Sequence, residues 1–134
     1  MTLAELKNQI MFQTNNDEED VTDYLPHLVD YINDGYDKLV KVWTKSHLQS
    51  GEYTKLESDF DEPNLPEWTH RALCDWATWL VYRNGNPQKQ QRGRAYYESF
   101  MQIYAQMADE GGLAGIDPET GLNIQYKYFR NIPT

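Results

Sequence analysis

The sequence predicts an all-α protein, a small bundle of about four helices that ends in an extended C-terminal tail. Three observations carry that expectation. Apolar residues recur at spacings of three and four along separate stretches, the period of one helical face. Two such stretches between Pro66 and Glu110 are divided only by the breaker Asn84-Gly85-Asn86-Pro87, so 66–110 should fold back as an antiparallel helical hairpin. Aromatic residues supply 13% of the chain, enough for a core despite the polar average.

Taken in order, Thr2 is placed to cap a first helix running to about Phe12, with Glu5 completing a capping box. Asn15-Asn16-Asp17-Glu18-Glu19-Asp20 follows as a solvated acidic linker; it lacks the spaced ligands and turn glycine of a calcium loop. The second helix, about Thr22 to Lys45, sets Val21, Leu25, Leu28, Ile32, Tyr36, Leu39 and Trp43 on one face. Asp23, Asp30, Asn33, Asp34, Asp37 and Lys41 take the other. Pro26 is tolerated only near the first turn. The carboxylates of Asp30, Asp34 and Asp37 share a face without a histidine or partner acid that would make a catalytic or metal site, so they read as a wet surface.

Residues 46–65 form a connection too long for a structureless loop in a small domain, which points to an ordered or functional excursion. Within it, 52–56 is a candidate short strand. Pro66 opens the third helix, to about Arg83, with Trp68, Ala72, Trp76 and Trp79 on the core arc and Arg71, Asp75 and Thr78 outside it. Cys74 reads as a small buried or half-buried hydrophobe. Asn86 caps the fourth helix with Pro87 at its first position, and Gly111-Gly112 should stop it after Glu110. Its apolar arc holds Tyr96, Tyr97, Phe100, Met101, Ile103, Tyr104 and Met107. Beyond it, Leu122, Ile124, Tyr126 and Tyr128 alternate with polar residues in a strand pattern, with Phe129 adjoining. A strand needs a partner for its backbone; the candidates are the segment near Tyr53 and a neighbouring subunit. The chain therefore divides into a helical domain over 1–112 and an extended arm over 113–134.

Charge is unevenly spread. Residues 1–66 carry 14 acidic and 5 basic side chains, whereas 67–134 carry 7 of each. The acidic half is ill suited to grip phosphates. No run approaches 18 apolar residues, so no membrane span is expected. The first residues lack a signal-peptide layout and the single cysteine suits a reducing compartment, so a cytosolic origin is expected. Phosphate-binding glycine loops, dinucleotide fingerprints and nucleophile elbows are all missing. His27, His47 and His70 are scattered, and one cysteine cannot build a cysteine-rich zinc site. The expectation is a protein that is not an enzyme and that carries no cofactor and no metal.

One feature asks for a partner. Arg83, Lys89, Arg92 and Arg94 place four positive charges within twelve residues with no acid among them. Arg83 suits a helix C-terminus, but Lys89 and Arg92 fall near a helix N-terminus, where the macrodipole opposes them. Helix stability does not explain them, whereas an acidic protein surface or a nucleic acid would; the alternative is a merely solvated cluster. These four, together with Leu122, Ile124, Tyr126, Tyr128 and Phe129 of the arm, are the candidate partner-binding residues.

The order of elements, with "VTDYLPHLVDYINDGYDKLVKVW" followed by "LPEWTHRALCDWATWLVYRNGNPQKQQRGRAYYESFMQIYAQM", resembles the small helical head–tail connector (adaptor) proteins of tailed bacteriophages. The likeness lies in Leu28 to Val42, around "YINDGYDKLV", and in Pro66 to Met107, where a proline-opened helix and a polar break precede "AYYESFMQIY". It covers about half the chain and has no invariant motif. The resemblance implies a virion protein made in the bacterial host cytoplasm. It would form a homo-oligomeric ring that docks on the portal and on a tail or stopper protein, with DNA passing through the lumen without sequence-specific binding. The alternatives are a DNA-binding regulator or packaging subunit, and a generic helical interaction module.

Overall fold

A computed structural model describes residues 1–14, 24–47, 54–83 and 85–114. Among the described residues the fold has four α-helices: α1 (Leu3–Gln13), α2 (Leu28–His47), α3 (His70–Arg83) and α4 (Pro87–Ala114). Short 3₁₀ turns, Leu25–His27 and Glu67–Thr69, lead into α2 and α3. The protein is an all-α small bundle, and the described residues contain no strand. The arm residues Leu122, Ile124, Tyr126, Tyr128 and Phe129 lie outside the described residues, as does the acidic linker 15–20.

The start of α1 shows how the chain satisfies a helix end. Thr2 Oγ1 accepts from the Glu5 amide at 3.2 Å, and the Thr2 amide donates to Glu5 Oε1 at 3.0 Å, completing the capping box. The two remaining first-turn amides, of Leu3 and Ala4, donate to the carbonyls of Asp61 and Asp59 at 2.8 and 3.1 Å. All these otherwise orphaned donors are therefore paired, and the helix is tied to the 58–61 turn. Leu3, Leu6 and Ile10 bury the same face completely.

α3 is the central element, since it packs most extensively against the other three helices. Nine of its fourteen residues are buried, too many for one stripe, so partners are needed all round. α1 lies alongside it in the same direction: Cys74 Sγ donates to the Leu6 carbonyl, and Thr78 Oγ1 donates to Gln13 Oε1 at 2.7 Å. α4 returns antiparallel, with Trp76 stacked obliquely on Phe100 at 4.7 Å and Trp79 on Tyr97 at 5.3 Å. On the remaining side α2 approaches so closely that a Cβ on Gly35 would sit 3.0 Å from the Trp76 ring. Leu28 and Trp76 are core residues, as the helical spacing predicts.

Several expectations are corrected. The second helix begins at Leu28 because Pro26 falls within the 3₁₀ turn, where its missing amide is harmless. Gly111-Gly112 do not end α4, which continues to Ala114; glycine weakens a helix by about 1 kcal/mol without forbidding it. Trp68, expected on the core arc, sits on the 3₁₀ turn and is exposed. Asp75 and Thr78, expected outside the arc, face α1 instead, where Gln13 bonds both side chains. Tyr97 and Met101, placed on the apolar arc of α4, lie at its edge with more than a third of their surface in water.

Asn33, assigned to the polar face of α2, is buried, and it organises the long connection. Its amide accepts from the Leu56 backbone N–H at 2.8 Å and donates to the Leu56 carbonyl at 3.0 Å. The side chain thus imitates the paired bonds of a strand neighbour, so 54–56 needs no strand to be held. Tyr36 Oη accepts from the Asn64 amide at 2.7 Å and secures the other end. On the wet face of α2, Asp34 accepts from Trp76 Nε1 at 2.7 Å, and Asp37 pairs with Lys41 at 2.9 Å. Both carboxylates thereby have structural employment.

Candidate partner-binding surface

The end of the hairpin is built by short-range rules. The Asn86 side chain accepts from the Lys89 amide at 2.9 Å, and Pro87 occupies the first helical position, where no donor is needed. Gln90 folds back to donate to the carbonyls of Arg83 and Gly85 at 3.2 and 3.1 Å, closing the C-terminus of α3 against the start of α4. Gly93 lets the two helices meet: a Cβ there would stand 2.8 Å from Tyr82 Cβ and 3.1 Å from the Trp79 ring. The end of α3 and the start of α4 are therefore held closely together beneath the side chains they present.

The structure divides the four predicted cations. Arg83 and Arg94 flank one cleft of about 540 Å³, whose remaining lining is Trp79, Pro87, Gln90 and Gln91. Arg92 is on the opposite side, where it borders a second cleft with Gln13, Tyr82, Ala95 and Tyr96. The stem of Lys89 packs over Gly85. The separation of Arg92 from Arg94 follows from helical geometry, since two residues subtend about 200°. Arg83, Arg92 and Arg94 are exposed, and among the described residues no carboxylate lies within ion-pair distance of any of them. The first turn of α4 also carries no acid. Among the described residues, the positive charge of this end is therefore not met by an ion pair.

Two contributors escape a linear reading. Trp79 provides an aromatic wall between Arg83 and Arg94, and Tyr97 leans on it. The hairpin's antiparallel pairing, which matches Trp76 to Phe100 and Trp79 to Tyr97, was the available signal, because it also brings 83 opposite 94. Elsewhere the reactive-looking groups are structural. Burial pushes the Cys74 thiol up to about 12, so it stays protonated and inert as a nucleophile. Burial also raises the Asp75 carboxyl, against the opposing influence of its Gln13 hydrogen bond and Arg71. His70 is buried between the Leu65 carbonyl at 2.9 Å and the Met1 amine at 2.8 Å. Among the described residues no three His, Cys, Asp or Glu side chains converge as a metal site, and no helix is long and apolar enough to cross a membrane.

Comparison with protein-family models, curated proteins and solved structures finds no match to this chain.

Proposed function

We propose that this protein is a structural assembly subunit that forms a homo-oligomeric ring, of the head–tail connector kind found in tailed bacteriophage virions. In that role it joins a portal to a tail or stopper protein and lets DNA pass through the lumen. Its chemistry is association, not catalysis. The observation that supports this reading best is the hairpin end, where three exposed arginines without carboxylate partners among the described residues stand beside closely packed helices. An acidic protein surface answers that charge, and the electrostatic attraction would set docking rate and register. The acidic remainder of the chain would discourage DNA from adhering to a duct.

The test is reversal of Arg83, Arg92 and Arg94 together to Glu, read by native mass and particle imaging. The wild-type chain is expected to form discrete rings, alone or on a portal. The reversed chain is expected to stay a folded monomer. Rings formed equally well by both chains would remove the hairpin from assembly. Salt-sensitive retention of duplex DNA by the wild-type monomer would instead favour a DNA-binding regulator or packaging role.

A further inference from the structure

We infer that the cleft between Arg83 and Arg94 receives Phe60 and its flanking acids from a second copy of this chain, giving a head-to-tail contact. The inference rests on the protein being a self-assembling subunit and is independent of the phage setting.

The projecting element is the 58–61 turn. Phe60 is 87% exposed, the most exposed large hydrophobic side chain among the described residues. Its exposure is not a matter of slack. Asp61 accepts from the amides of Glu57 and Ser58 at 2.9 and 2.8 Å, and its own amide donates to the Ser58 carbonyl at 2.9 Å. The Phe60 amide donates to Ser58 Oγ, and the carbonyls of Asp59 and Asp61 hold the first turn of α1. Six hydrogen bonds therefore fix a turn whose apex is an aromatic ring in water. Exposing such a ring on a rigid support is costly alone and favourable once a pocket covers it, because little freedom remains to be lost on binding.

The surroundings of the ring match the cleft. Glu57, Asp59 and Glu62 are exposed around Phe60. Asp59 pairs with Lys7, yet a carboxylate has two oxygens and can accept further donors. The cleft offers the complementary set: Trp79 and Pro87 as apolar wall, with two guanidiniums that have no carboxylate partner among the described residues. An aromatic anchor in a pocket within a charged rim is the arrangement that concentrates binding energy at protein interfaces.

The two elements cannot meet within one molecule. The 58–61 turn is tied to the start of α1, beside the start of α3, while the cleft sits at the end of α3. The fourteen residues of that helix separate them by about 20 Å. Joining the one to the other therefore requires a second copy, and a contact between unlike surfaces propagates into a ring or an open filament.

The test uses two full-length variants, Phe60→Ala and the pair Arg83→Glu with Arg94→Glu, whose positions are all exposed. Helicity and thermal midpoint are checked first and are expected to match wild type. Each variant alone is expected to weaken self-association at least 10-fold by sedimentation equilibrium. An equimolar mixture is expected to give a one-to-one dimer that grows no further, because it contains one intact projection and one intact cleft. Raising salt should weaken that dimer. Wild-type-like assembly by Phe60→Ala, or a mixture that stays monomeric, would overturn the inference while leaving ring formation standing. A wild-type chain monomeric at every concentration would overturn self-assembly itself.

Discussion

The two ends of α3 treat charge in opposite ways. At its start, several carboxylates are engaged: Glu5 caps α1, Asp59 pairs with Lys7, Asp61 holds the 57–58 amides, and Glu67 meets the Met1 amine at 2.9 Å. At its end, Arg83, Arg92 and Arg94 have no such partner among the described residues. A charge that closes a turn is accounted for by folding. A charge that closes nothing among the described residues is available to a partner, the role proposed for it above. At the acidic end charge helps to hold the fold and frames the projecting Phe60, whereas at the basic end it is left to the partners proposed above.

The largest effect should come from the core that both ends share. Trp76→Ala should cost about 3–5 kcal/mol, the usual loss for a large buried aromatic, because it empties the contact among α2, α3 and α4. Chemical denaturation checks this, and unchanged stability would break the assignment of α3 as the central helix. Next, Asn33→Ala should cost about 1–3 kcal/mol by leaving the buried Leu56 amide and carbonyl unpaired. It should also raise hydrogen exchange across 54–61 while leaving 85–100 protected, which would sharpen the independence of the two ends.

Acid should discriminate between the ends more gently. Hydrogen bonds from the Thr2 amide, the Glu57 and Ser58 amides, and the Met1 amine hold the Glu5, Asp61 and Glu67 carboxyls below their ordinary values. Their contribution is present above the ordinary carboxylate range and is lost as pH falls through it, so the acidic end should loosen first. Asp75 has the opposite sign: burial raises its carboxyl, so ionisation detracts from stability as pH rises through that range. Asp75→Asn keeps an acceptor for Gln13 and should slightly raise the neutral-pH midpoint. A fall would mean that the charge itself serves the α1–α3 seam.

Much of this fold was legible where one local rule decided the outcome. The capping box at Thr2 and Glu5, the Asn86-Pro87 helix start and the burial of Leu28 and Trp76 each follow from residues within a few positions of one another. Asn33 was not legible, because its partner is the backbone of Leu56, which no helical period reveals. Thr78 and Asp75 were misplaced for a related reason: a helix wrapped on three sides has no dry stripe, and its polar positions become seams. In the candidate surface, the clustering of cations was visible in sequence. Their division into the Arg83–Arg94 cleft and the Arg92 side depends on helical rotation and on Gly93, which sets how closely α3 and α4 meet.

The most direct measurement of the central claim is native mass spectrometry of the wild-type chain beside the Arg83→Glu, Arg92→Glu, Arg94→Glu chain, with circular dichroism on both. The wild-type chain is expected to be a discrete oligomer and the reversed chain a monomer with undiminished helicity, since all three side chains are exposed. Identical oligomers from the two chains, or loss of helicity in the reversed chain, would contradict it.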